Sequence, residues 1–161
     1  MRRVILNADD LGNEPEVSRG IVRAMREGIV SSTTMMVNGP YAAEAAPLAG
    51  GLAVGLHLNL ARWKPLSAVP ANLLSKEREF VEARAAELPT EVVAAEVDAQ
   101  LERLAALLGR QATHVDVHKH LHRHPQVLEA LLQVAQRRGR AVRTLDGAMR
   151  GRARAAGVAT N

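Results

Sequence analysis

Five of the chain's six histidines fall within eleven residues, at His114, His118, His120, His122 and His124, and the sixth, His57, stands alone. A neutral imidazole is a good ligand for zinc and similar divalent ions. In the run His114-Val115-Asp116-Val117-His118-Lys119-His120, strand alternation would put residues 114, 116, 118 and 120 on one face. A lone histidine at a strand end is more often structural than a ligand. The cluster reverses that expectation, against the competing reading of an exposed tract with loose metal affinity.

Two acids adjoin near the other end of the chain, Asp9-Asp10, just before Leu11-Gly12. Adjacent carboxylates repel, so a buried pair needs a compensating cation. One of them can hold a metal while the other takes a proton from water as general base. The competing reading is a helix N-cap acid, because helix signals follow at Pro15. Neighbouring side chains of a strand point to opposite faces, so both acids serve one site only where the strand is ending.

The elements that must position these residues alternate in type. Short apolar runs predict strands over residues 3–8, 29–37, 52–60, 113–117 and 141–145. Helices are predicted between them, from Pro15 to a cap at Gly28, over 41–48, over 90–108 with Gly109 ending it, and from Pro125 to Gly139. The helix over 90–108 carries the clearest stripe: Val93, Val97, Leu101, Leu104 and Leu108. Residues 62–74 hold two prolines, Pro65 and Pro70, and no period, which reads as a long loop of the kind that serves as a lid or binding loop. Strand and helix in alternation predict an α/β fold with a parallel sheet covered by helices. Asp9, Asp10, His57, Asp116 and His118 then all fall at C-terminal strand ends, where sites gather in such folds.

Composition narrows the chemistry. At 161 residues the chain has room for one domain with a real core. It has no cysteine, so disulfides and thiolate sites are excluded and any metal must be held by His, Asp or Glu. No apolar stretch is long enough for a membrane span, and the apolar run after Arg2-Arg3 breaks at Asn7, too soon for a signal peptide, so the cytoplasm is the simplest address. The net charge of +4 is concentrated in residues 137–154, with seven arginines and one acid, Asp146. A solvated helix end accounts for such a run; without aromatic interleaving it does not point to nucleic acid.

Together these blocks resemble the YdjC-like carbohydrate deacetylases. The resemblance is carried by Asn7-Ala8-Asp9-Asp10-Leu11-Gly12, by Gly28-Ile29-Val30-Ser31-Ser32-Thr33-Thr34 with Val37-Asn38, by Gly55-Leu56-His57-Leu58, by Lys64-Pro65-Leu66, and by Thr113-His114-Val115-Asp116-Val117-His118-Lys119-His120-Leu121-His122. It implies an incomplete or distorted (β/α) barrel with parallel strands, in which residues 1–161 form a single α/β domain, the N-terminal portion of a longer barrel. It also implies removal of acetyl groups from N-acetylated amino sugars such as chitin oligosaccharides, with one divalent metal ion, magnesium or zinc. By the resemblance Asp10, His57 and His118 are the metal ligands and Asp9 the catalytic base. Members of the family are longer and carry a later histidine in a His-Pro-Gly setting; no such block follows Leu145 here, and the donor to the departing amine is open between His120 or His122 and that later part of the family's chain. Trp63 stands where the family often has glycine, and stacking on a sugar or packing the loop are both open to it. A metal-dependent phosphoesterase or amidohydrolase is the alternative reaction, with the arginines after residue 137 on a phosphate. A metal-binding domain without turnover is the other alternative. The open edges of a partial barrel would favour a homodimer.

Overall fold

Five short strands alternate with helices, and each strand pairs in parallel with the one before it. In the computed structural model, which describes residues 4–161, the order is β1 (Asn7–Leu11), α1 (Pro15–Glu27), β2 (Ser32–Met35), α2 (Ala42–Leu48), β3 (Val54–Leu58), α3 (Thr90–Leu108), β4 (His114–Val117), α4 (Pro125–Arg138), β5 (Ala141–Val142) and α5 (Gly147–Ala155). The sheet runs β1-β2-β3-β4-β5 and is not closed; on its β5 side Val142 makes one further parallel bridge, to Thr160. This is the α/β architecture of an open, incomplete barrel.

The sheet is strongly curled. Strands in a sheet lie about 4.8 Å apart, so β1 and β4 would stand about 14 Å apart if it were flat. Yet His114 Nε2 on β4 is 3.1 Å from Asn7 Oδ1 on β1, and Arg143, just past β5, reaches Asp9. Polar side chains therefore line the concave face. Leu11, Met35, Leu56, Leu58, Val115 and Val117 are buried in the core with the stripe of α3 and with Val127 and Leu131 of α4.

The predicted strands are where they were expected but shorter. The first is displaced: Arg3 lies outside the described residues, Val4 and Ile5 are 79% and 71% exposed, and pairing runs instead through Asn7 to Leu11. The cause is the inward face, which is polar here (Asn7, Asp9), so the apolar run marks the approach to the strand. Helix α3 has the predicted limits, closed by Gly109 at φ 67. Its buried face also carries two polar residues, Glu96 and Gln100, one turn apart. Glu96 is fully buried and accepts from the Leu66 and Ser67 amides, the Ser67 hydroxyl (2.7 Å) and Gln100 Nε2 (2.8 Å). Four donors thus replace its hydration and hang the long loop after β3 on α3.

Candidate metal centre

Asp9 and Asp10 both reach the concave face because β1 is irregular where they sit. Its register against β2 shifts between Ala8 and Leu11, and Asp10 has a left-handed backbone at φ 72. Such a bulge adds a residue to one strand and re-aims its side chains. Gly12, at φ 85, then turns the chain towards α1. The strand alternation that set the two acids against each other is therefore broken at the residues that need it broken.

Three potential ligand atoms meet at the strand ends. Asp10 Oδ1 is 3.2 Å from His57 Nε2 and 3.2 Å from His118 Nδ1, and the two ring nitrogens are 3.2 Å apart. Donor atoms held about 2.0–2.1 Å from a zinc ion in tetrahedral array stand roughly 3.3 Å apart, so this triangle has the right size. Asp10 Oδ1 is buried and, although close to both rings, accepts no well-directed hydrogen bond. A carboxylate oxygen and two imidazole nitrogens converging within 3.2 Å of one another form a donor set that fits a divalent cation.

The opposite edge of His57 is fixed. Its Nδ1 lies 2.5 Å from Asp116 Oδ1, and Thr34 Oγ1 donates to Asp116 Oδ2 at 3.0 Å. With Nδ1–H donated to Asp116, Nε2 faces Asp10 and His118, and on losing its proton it presents the lone pair a ligand needs. Burial disfavours charge on His57, but the neighbouring carboxylates of Asp10 and Asp116 outweigh it and raise the metal-free pKa to about 9. Burial would also raise Asp116; His57, Thr34 and Arg143 reverse this and hold its carboxyl below the ordinary value. His118 and then His57 keep Asp10 far below the usual carboxylate range in spite of partial burial.

Asp9 stands beside the triangle. Its Oδ1 accepts from Asn7 Nδ2 at 2.8 Å, and Arg143 Nη1 lies 3.1 and 3.0 Å from its two oxygens. Asp9, His57 and Asp116 form a second group with ligand spacing. The first group is the better cation site, because Arg143 already supplies positive charge to both Asp9 and Asp116. Arg143 was counted by sequence among seven solvated arginines. The available signal was its place at the C-terminal end of the fifth strand, where its amide donates to Val115 O on β4.

The histidine run divides among four environments. The expected common face for 114, 116, 118 and 120 does not form, because the chain leaves β4 at Val117 and Lys119 and His120 take left-handed conformations at φ 57 and 53. His114 stays in the strand and points to Asn7. His118 joins the centre. His120 and His122 meet edge to face, 6.2 Å between ring centroids, and His124 is the N-cap residue of α4. His122 is fully buried with both ring nitrogens unpartnered, and that burial, aided by His120, lowers its pKa to about 4. A cavity of about 660 Å³ opens at the other, N-terminal ends of the strands, among Leu6, Ser31, Ala53, Thr113 and Ala159, away from the Asp10 triangle.

No described helix is long and apolar enough to cross a membrane. Among known proteins, the family described as YdjC-like protein matches residues 3–160. A chitooligosaccharide deacetylase of Enterobacter sp. (strain 638) is 40% identical over 146 residues, covering 87% of this chain and 58% of its own length. One from Serratia marcescens is 39% identical over 144 residues, covering 84% and 56%. A crystal structure of an Enterococcus faecalis V583 protein, provisionally described as a cellobiose-phosphate cleavage protein, superimposes with a TM-score of 0.84 at 28% identity, covering 97% of this chain and 65% of that one. The chain thus spans a little under three-fifths of the length of these curated relatives. It belongs to the YdjC-like protein family.

Proposed function

We propose that this chain carries the centre of a metal-dependent hydrolase that removes acetyl groups from N-acetylated amino sugars, chitin oligosaccharides among them. The observation that carries the reading is the 3.2 Å triangle of Asp10, His57 and His118 with the Arg143-paired carboxylate of Asp9 beside it. The names of the curated relatives support the substrate class.

Asp10, His57 and His118 would hold one divalent ion, for which two nitrogens and one oxygen suit zinc better than magnesium. When bound, such an ion supplies Lewis acidity to the acetyl carbonyl and lowers the pKa of water. Asp116 holds His57 with its lone pair inward. Asp9 takes the proton of the attacking water as general base, and Arg143 keeps that carboxylate aimed. His122, neutral and enclosed, is not available to protonate the departing amine; His120, only partly buried, is the better placed of the two.

Four of the arginines invoked as anion holders by the phosphoesterase alternative are already engaged. Arg143 is committed to Asp9, Arg138 to Asp98 and Glu102, Arg140 to the Ala112 carbonyl and Arg150 to the Asn161 carbonyl. The test is to incubate zinc-loaded and magnesium-loaded protein with N,N′-diacetylchitobiose and, separately, with p-nitrophenyl phosphate. Acetate and free amine in equal amounts, abolished by a chelator, are expected. Phosphate release without acetate would transfer the site to the alternative, and neither product from a metal-replete chain would leave a binding domain without turnover.

A further inference from the structure

The chain's single tryptophan sits where the first three strands end. The turn after β1 brings Gly12 and Asn13 there, the turn after β2 brings Asn38 and Gly39, and Trp63 follows β3. Ring atoms Cζ3 and Cη2 of Trp63 lie 2.5 and 2.9 Å from the position a methyl group on Gly39 would take, and the Gly12 carbonyl oxygen lies 3.1 Å from the same position. The indole is therefore pressed against Gly39, which itself abuts the Gly12 carbonyl, and Gly12 is two residues from Asp10.

That placement is imposed on the backbone. Trp63 has φ 63, a left-handed conformation that bulky residues adopt only where the surroundings over-determine it. Three consecutive carbonyls are pinned: Arg62 O accepts from Asn59 Nδ2 (2.8 Å), Trp63 O from the Phe80 amide (2.8 Å) and Lys64 O from Asn38 Nδ2 (3.2 Å). Asn59 is itself fully buried and locked by Gln100 through its amide and its carbonyl. Such strain gathers at ligand clamps.

Core packing does not account for the residue, since Trp63 is only partly buried and lies outside the hydrophobic core. The Arg62 guanidinium stacks on the ring, Cζ 4.3 Å from its centroid, and is tied to Asn13 Oδ1 at 3.4 Å. A fixed, partly open aromatic surface with hydrogen-bond donors alongside matches a pyranose, which offers an apolar C–H face rimmed by hydroxyls. We propose that Trp63, with Arg62 and the Gly39 notch, forms a subsite for a neighbouring sugar ring of an oligosaccharide and so selects chains over single sugars. This rests on the deacetylase reading of the adjacent centre.

Because Trp63 is the only tryptophan, its emission reports this subsite alone. Zinc-loaded protein is titrated with N,N′,N″-triacetylchitotriose and with N-acetylglucosamine, and acetate release is followed on both. A saturable emission change with the trisaccharide and little with the single sugar is expected. Trp63→Ala should raise KM for the trisaccharide roughly tenfold with kcat within about twofold, and Trp63→Phe should recover most of the loss. Thermal melting of both variants separates lost contact from lost fold. Normal acetate release with silent emission, or with KM unchanged in Trp63→Ala, would overturn the subsite and leave the deacetylase reading standing. An emission change without acetate would do the reverse, and neither signal at millimolar trisaccharide would overturn both.

Discussion

Acid should strip the centre of metal, and the size of the effect follows from His57. Its Nε2 faces Asp10 and His118, and against the effect of burial its two carboxylate partners raise its metal-free pKa to about 9. A metal ion and a proton cannot share Nε2, so binding must expel the proton. Well below that pKa nearly every metal-free molecule carries the proton, and each pH unit then changes apparent affinity about tenfold, or about 1.4 kcal/mol. At neutral pH the penalty is about two such steps, roughly 2.7 kcal/mol. Asp10 is held so low that it remains ionised throughout and adds no slope. The assay is a chelator-buffered zinc titration at several pH values, with calorimetry in two buffers of different ionisation enthalpy. Affinity should tighten about 100-fold between about pH 6 and pH 8, with about one proton released per ion. Asp116→Asn, which removes one carboxylate that retains the proton, should move the plateau to lower pH. Zinc affinity that stays flat over that range, with the same enthalpy in both buffers, would refute the reasoning.

Other consequences can be measured separately. Asp9→Asn should lower turnover about 10²–10⁴-fold while leaving zinc stoichiometry intact, since Asp9 is placed as base rather than ligand; loss of zinc from that variant would reverse the assignment. Glu96→Gln puts an NH₂ group against amide donors that now share a carboxylate, and should cost about 1–3 kcal/mol of stability by thermal melting. His122 takes up a proton near pH 6.5 when unfolded but only near 4 when folded, so it destabilises the fold progressively as pH falls between those values, by up to about 3 kcal/mol. His122→Phe should therefore flatten the acid limb of a denaturant-unfolding series, and an unchanged limb would show that His122 finds a partner or opens to water.

Much of this was legible in the chain, and the exceptions have physical causes. Helix α3 could be read to its last residue because an apolar stripe and a left-handed glycine cap are local signals. The strands were overextended where apolar residues continue beyond the pairing, as at Ile29, which is 83% exposed. The two acids and two of the histidines were found by type and place, but what brings them together was not. The bulge at Asp10 and the turn after Val117 are backbone departures that no periodicity encodes. Arg143 and Glu96 escaped for a common reason. Each is a charged residue whose type reads as solvated, and each is drawn inward by partners more than 25 residues away in sequence or lying across the curled sheet.

The most direct test of the account is elemental analysis of metal in the native chain and in His118→Ala, both shown to be folded. The triangle of Asp10, His57 and His118 predicts about one divalent ion per native chain and its loss in the variant. Equal metal in the two proteins, or none in the folded native chain after incubation with zinc and magnesium, would contradict the proposed centre.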